Sequence, residues 1–240
     1  MGKQSDQTST SDFTAASRDA LVEALLAAGP GKPTLCDGWK SEHLAAHIVL
    51  RESSPLVVGL VLRPLARTLE RRTMALGDSA SSPQAYQELV SRIAAGPQPP
   101  KKLSQLSGVS RLQNHPRTAR LSATIQNSPA ARRAAQASNL LEFFVHTEDL
   151  RRAQHRWAPR HLADAYADAL FNEIARRARL MYRGESTGIV LARSAGHRVV
   201  DRVVARKAAD GQQTRTIAGP AGELVMHAFG RRDNALVLVD

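Results

Sequence analysis

Apolar positions along this chain fall first at helical and later at strand spacing. Residues 1–11 are polar, show neither period, and are expected to form a disordered tail. Leu21, Val22, Leu25 and Leu26 then make a stripe at helical spacing, ended by Gly29-Pro30-Gly31. A turn-like segment, Pro33-Thr-Leu-Cys-Asp-Gly-Trp39, leads to Ser41, a candidate N-cap for a second helix through Leu44, His47 and Ile48. Pro55 and Pro64 are expected to interrupt or kink what continues. Ser82-Pro83 reads as the cap and first position of another helix, with Tyr86, Leu89, Val90 and Ile93 facing inward. Gly96 to Pro100 is a loop, and residues 103–138, rich in Ser, Ala, Arg and Gln, read as an exposed helix or a mobile insertion. Asn139 to Ala153 returns to a clear helix.

Beyond Trp157-Ala-Pro159 a long amphipathic helix is predicted over 160–182, with Leu162, Tyr166, Leu170, Ile174 and Met181 as core positions. Short β-like runs follow at 188–192, 198–204 and 214–217. Gly219-Pro-Ala-Gly222 opens a short helix through Phe229, and residues 235–239 read as a terminal strand. Helices first, then strands with a helix, predict a mainly α chain with a small α+β part. The domains expected are a helical one over 12–157 and a C-terminal α+β one over 158–240.

Composition narrows this picture. Aromatics make up only 4% of the chain, so the core must rest on Ala, Leu and Val, which favours close-packed helices. The net charge of +11 raises the question of nucleic acid. The arginines are scattered as pairs such as Arg71-Arg72 and Arg132-Arg133, without interleaved aromatics or zinc-finger spacing, which points to a solvated basic surface instead. A single cysteine, Cys36, rules out an intramolecular disulfide and fits a reducing cytoplasm. The N-terminus has no apolar core of a secretory signal, and Pro55 to Leu62 is too short to span a bilayer. A cytoplasmic location without a membrane partner is therefore expected. Nothing in the sequence sets an oligomeric state.

The candidate chemistry lies in Asn139 to Arg152. Glu142 and His146 stand at i and i+4 and share one helix face. A carboxylate and an imidazole suit zinc and other divalent first-row metals. With one more ligand they would leave an open coordination position, as catalytic metals require. Such an ion lowers the pKa of a bound water or thiol and polarises carbonyls. His43 and His47, four residues apart, both qualify as the third ligand. The same pair at i,i+4 is also common on exposed helices. Asn139 and Asp149 extend it into a polar stripe flanked by Leu141, Phe144 and Val145, and a buried stripe of that kind needs partners. The other histidines, His115, His155, His161, His197 and His227, lack such spacing and read as structural or exposed. Cys36 has no identifiable base beside it and reads as a small packing residue, and Trp39 as a loop anchor.

Three segments carry a family resemblance. Pro33 to Trp39 followed by Leu44-Ala-Ala-His47, the run Asn139 to Arg152, and Gly219-Pro-Ala-Gly-Glu223-Leu with Phe229-Gly-Arg231 together resemble the mycothiol-dependent maleylpyruvate isomerase family. That family belongs to the DinB-like metal-binding superfamily, and the chain also resembles an actinobacterial subfamily described as metal-binding proteins. The resemblance implies a DinB-like four-helix bundle followed by the α+β domain, with a divalent metal, zinc in the first instance, held by His47, Glu142 and His146. It further implies mycothiol as a thiol cofactor and a small electrophile as substrate, for an isomerase or transferase. A non-enzymatic metal-binding or regulatory protein with a basic surface is the competing reading. Arg151, Arg152 or Arg231 are candidates for holding an anionic substrate. The chain departs from its relatives at His43, where they commonly carry an acidic residue, and over 115–138, which reads as an insertion.

Overall fold

Seven α-helices and one four-stranded sheet make up the described part of the chain, a mainly α protein with a small α+β part. A computed structural model of the 240 residues describes residues 10–53, 63–97 and 129–240. Of the expected tail over 1–11, residues 1–9 lie outside the described residues, whereas Thr10 and Ser11 belong to the first turn of a helix; the apolar run at 55–62 and the 115–128 part of the insertion also lie outside them. In chain order the helices are α1 Thr10–Ala28, α2 Ser41–Ser53, α3 Arg63–Ser79, α4 Pro83–Ala94, α5 Pro129–Arg152, α6 Asp164–Met181 and α7 Ala221–Ala228. The strands are β1 Gly188–Ala195, β2 Arg198–Arg206, β3 Thr214–Gly219 and β4 Leu238–Val239. The described residues form two compact units, one of residues 22–138 and one of Asn139–Asp240 with the chain up to Leu21.

In the first unit α2 packs against both α3 and α4. Leu44, Ala45, Ala46, Ile48 and Val49 are all buried, so α2 is enclosed on several sides and shows no one-sided stripe. Ser82 caps α4 as expected, its hydroxyl accepting the Ala85 N–H at 3.3 Å, and Tyr86, Leu89, Val90 and Ile93 are buried. The Tyr86 hydroxyl donates to the Leu25 carbonyl at 2.9 Å. Leu26, expected in the core, is 53% exposed; the buried row is Leu21 and Leu25, one turn apart, and Leu26 is rotated off it. Pro64 is the second described residue of α3, and Pro55 lies outside the described residues.

Ser41 proves to be the first residue of α2, not its cap. Its hydroxyl donates to the Gly29 carbonyl (2.7 Å) and accepts the Lys32 N–H (3.2 Å), while the Glu42 carboxylate takes the Gly31 N–H (2.7 Å). The capping role falls to His43, whose Nδ1 accepts the Lys40 N–H at 3.0 Å. α3 crosses this histidine at Gly77. A Cβ there would sit 2.9 Å from His43 Cα, which is backbone and cannot swing away. Gly77→Ala is expected to destabilise the protein by about 1–3 kcal/mol through overpacking, read as a lower thermal midpoint. An unchanged midpoint would show that α3 has room to move off α2.

In the second unit the sheet order is β2-β1-β3-β4, antiparallel except for the parallel β1–β3 pair. The β1–β2 hairpin turns at Gly196-His197, with Gly196 at φ 59° in the first central position, the sign pattern of a type II′ turn. α6 packs on β2 and on α7, and α7 packs on β1 and β3. The row Leu170, Ile174, Ala178 and Tyr182 is buried with Phe171, whereas Met181 is one position off that row and only half-buried, and Leu162 precedes the helix. The terminal strand shrinks to Leu238–Val239, because a 3₁₀ turn occupies Arg232–Asn234 and the Leu236 N–H goes to the Glu223 carboxylate (2.8 Å) instead of a strand. Gly222 opens α7 against the ring of Phe144, where a Cβ would lie 2.8 Å from Cζ.

The end of α5 is joined to α7 by buried charge. Glu148 accepts from Arg151, Arg152 and Arg160 at 3.0, 2.7 and 2.6 Å. Arg152 presents its other edge to both oxygens of Glu223 at 2.8 and 2.7 Å and donates to the Asn234 carbonyl. The Arg152 guanidinium also lies over Trp157, and that of Arg160 over Phe144. Burial alone would raise the Glu148 carboxyl, but Arg160, Arg152 and Arg151 outweigh it and hold it below the ordinary value.

Candidate metal centre

The run from Leu140 to Arg152 is almost wholly buried, and this converts its polar residues from surface decoration into groups that must be satisfied. Thr147 donates to the Phe143 carbonyl at 2.7 Å. His146 is 6% exposed and uses both ring nitrogens. Its Nδ1–H donates to Asp149 Oδ2 at 3.0 Å, one turn further along α5. Its Nε2 faces Glu142 Oε2 at 3.3 Å, one turn back. Asp149 is in turn gripped by Arg231, which donates from Nε to Oδ1 (2.8 Å) and from Nη2 to Oδ2 (2.7 Å) and anchors Nη1 on the Phe229 carbonyl (2.7 Å).

This chain of contacts has a direct electrostatic reading. With the proton on Nδ1 committed to Asp149, the neutral imidazole turns the Nε2 lone pair towards a carboxylate. Two electron-rich groups at 3.3 Å call for positive charge between them, either a second proton or a metal ion. A ligating histidine generally gives its other N–H to a carboxylate, and Asp149 occupies that position. The donor set therefore fits a divalent ion. Burial would raise the Asp149 carboxyl, but hydrogen bonds from His146 and Arg231 and their charge outweigh it and lower it from 3.8 to about 2.

A carboxyl with a folded pKa below its unfolded one adds stability above the unfolded value and loses it as pH falls through the folded one. For Asp149 that window runs from 3.8 down to about 2 and is worth about 2 kcal/mol, with Glu148 losing its contribution on the same side. The urea midpoint of metal-free protein is expected to fall gently between pH 7 and about 5, where His227, held below its ordinary value by burial, is protonated more readily in the unfolded chain, and to fall steeply below that. A midpoint that stays flat towards pH 2 would contradict it.

The histidines of α2 part company. His43 is buried and engaged at both nitrogens, Nδ1 accepting from Lys40 and Nε2 donating to Asp78 Oδ1 at 3.0 Å. It has no lone pair left for a metal, which removes it from the candidates. His47, one turn on, is half-buried, with its ring 5.0 Å from that of Trp39 and inclined at 46°. Trp39 sits at the end of a turn closed by its own N–H to the Cys36 carbonyl (3.0 Å), with Gly38 at φ 71° in the position that needs positive φ. Its indole N–H donates to Glu70 on α3 at 2.8 Å. Cys36 is half-buried and free of disulfide.

His155, His161 and His197 are exposed, His227 is buried against Tyr182, whose hydroxyl lies 2.8 Å from its Nδ1, and His115 lies outside the described residues. Of the arginines considered for an anionic substrate, Arg152 is ruled out by its burial between Glu148 and Glu223. Arg151 pairs with Glu148, and Arg231 is the clamp on Asp149. The Asp149 contact has a sequence signal, the i+3 spacing from His146. Arg231 has none, standing 82 residues away.

Known proteins give this geometry a setting. The family described as the mycothiol maleylpyruvate isomerase N-terminal domain matches residues 14–151. Among solved structures, the crystal structures of the mycothiol-dependent maleylpyruvate isomerase and of a histidine-to-alanine mutant of it each superpose with a TM-score of 0.57 at 16% identity. In each case 96% of this chain and 91% of that chain are covered. At that identity the likeness is one of fold. No curated protein matches.

Proposed function

The chain belongs to the mycothiol maleylpyruvate isomerase N-terminal domain family, and from that premise we propose that it is a metal- and thiol-dependent isomerase or transferase acting on a small electrophile. His47, Glu142 and His146 are proposed as the ligands, each offering one donor atom of a kind that suits a divalent first-row ion, zinc in the first instance. The observation that carries the reading is His146, with Nδ1 committed to a carboxylate and Nε2 turned towards another. The helical domain is proposed to run from 12 to 157, which the family match over 14–151 supports, and the α+β domain from 158 to 240.

A bound divalent ion would supply Lewis acidity, holding a small thiol such as mycothiol as the nucleophilic thiolate. The protein's own residues prepare for it. Asp149 keeps the His146 proton on Nδ1, so that Nε2 presents its lone pair. Arg231 balances the Asp149 charge and fixes its plane through two parallel hydrogen bonds. The buried side chains around His146 keep competing water from it. No described helix is long and apolar enough to cross a membrane, and we place the reaction in the cytoplasm.

Elemental analysis of purified protein is expected to find about one divalent ion per chain, and turnover of an electrophile panel to require mycothiol. Bound metal without any thiol-dependent turnover would shift the assignment to the second reading, a non-enzymatic metal-binding or regulatory protein. The net charge of +11 is the feature in favour of that reading, and salt-dependent nucleic-acid binding would strengthen it.

A further inference from the structure

We propose that Trp39 is a positioning residue for the His47 imidazole and that its indole registers the ion His47 holds. The inference rests on the reading of His47 as a ligand. It starts from a sequence feature that the proposed chemistry leaves unused, the rigid loop before α2.

That loop is built to present one side chain. Pro33 and Lys40 pair as an isolated antiparallel bridge, closing the base. Inside it, the Thr34 hydroxyl accepts the Cys36 N–H (3.2 Å) and donates to the Trp39 carbonyl (2.8 Å). The Cys36–Trp39 turn needs Gly38 at positive φ, so the Asp-Gly-Trp sequence sets where the indole emerges. Its ring meets His47, and its N–H is tied to Glu70 across on α3. A packing anchor would need only the apolar face of the ring. Here the polar edge is tied to Glu70 as well, which favours one orientation of the indole and of the imidazole against it.

An imidazole that binds a cation becomes electron-poor, and an aromatic face about 5 Å away stabilises that state. The contact is therefore worth more with the ion bound than without it, which is what distinguishes positioning from simple packing. Outer residues that orient a ligating histidine commonly change metal affinity by about 10–100-fold. A neighbouring tilted ring supplies orientation and polarisation but no hydrogen bond, so the lower end, about 10-fold, is expected here.

The chain has two tryptophans, Trp39 and Trp157. In a Trp157→Phe background, titration of the metal-free full chain with Zn²⁺ alone is expected to change the Trp39 emission saturably. Its midpoint should match equilibrium dialysis of the same protein. Trp39→Ala is expected to weaken Zn²⁺ binding about 10-fold and to alter the visible absorption of the Co²⁺-loaded protein, while Trp39→Phe, which keeps an aromatic face, restores affinity to within about 3-fold. Zn²⁺ bound by the wild type, with silent Trp39 emission and unchanged affinity in Trp39→Ala, would overturn the inference and leave the ligand assignment standing. A wild type that binds no Zn²⁺, or a His47→Ala variant that binds it undiminished, would overturn the ligand reading and this inference with it. The titration leaves Trp39 intact, so misfolding of the alanine variant does not decide the outcome.

Discussion

His146→Ala is expected to abolish tight binding of the divalent ion, a larger effect than any other single substitution around the centre. The imidazole supplies a donor atom and is also the hub between Glu142 and Asp149. Removing it takes from the buried Asp149 the N–H of His146 and from Glu142 the imidazole that faces it. The loss should exceed the roughly 10–100-fold that removal of an outer partner produces. Asp149→Asn supplies that comparison. It preserves the shape of the side chain but gives up the charge that Arg231 clamps and that raises the basicity of His146, and is expected to fall within that 10–100-fold range. Equilibrium dialysis with Zn²⁺, paired with thermal melts of metal-free protein, separates affinity from folding. Full occupancy in His146→Ala would sink the assignment. Equal losses in both variants would show that the centre is held by its charge balance rather than by a particular donor atom.

The second large effect is on stability. Arg152→Ala would leave Glu148 and Glu223, both buried, without the guanidinium they share. Breaking a buried pair by deleting one partner costs about 3–5 kcal/mol, because the remaining charge has lost its solvent and its counter-ion together. For a chain of this size that corresponds to a thermal midpoint lower by about 10 °C. The Asn234 carbonyl would lose its donor as well, and with it an anchor of the 3₁₀ turn at Arg232–Asn234. Arg152→Met combined with Glu148→Gln and Glu223→Gln removes the charges and is expected to recover much of the loss. If Arg152→Ala melts within 2 °C of the wild type, which is about 0.5–1 kcal/mol, the cluster contributes no more than an exposed pair would.

The two predictions involve different kinds of residue, and the sequence exposes them unequally. Glu142, His146 and Asp149 are neighbours along one helix, and a helix sets the relative position of residues three and four apart almost independently of what surrounds it. That face was readable from spacing alone, as were the Ser82 cap, the buried row of α4 and the strands up to β3. Arg152 reads as one of many surface arginines and is in fact among the most buried side chains. Its burial depends on Glu223, 71 residues away. The terminal strand is shorter than its pattern predicts for a related reason: apolar alternation over 235–239 is real, but Glu223 takes the Leu236 N–H that a longer strand would need.

His43 and His47 illustrate the limit most clearly. Both lie on α2 and in composition and spacing they are equivalent. The difference is Lys40 and Asp78, which occupy the two nitrogens of His43, and Trp39, which lies against His47. The sequence by itself determined the local geometry: which residues share a helix face, where caps and turns fall, and that Glu142 and His146 form a pair. Only the tertiary structure decided which polar groups are buried and what satisfies them, giving Arg231 to Asp149, Arg152 to Glu148 and Glu223, and withdrawing His43 from the candidate ligands. The physical reason is range. Backbone dihedrals fix distances over about one helical turn, whereas the partner of a buried charge is chosen by whichever segment packing brings alongside it.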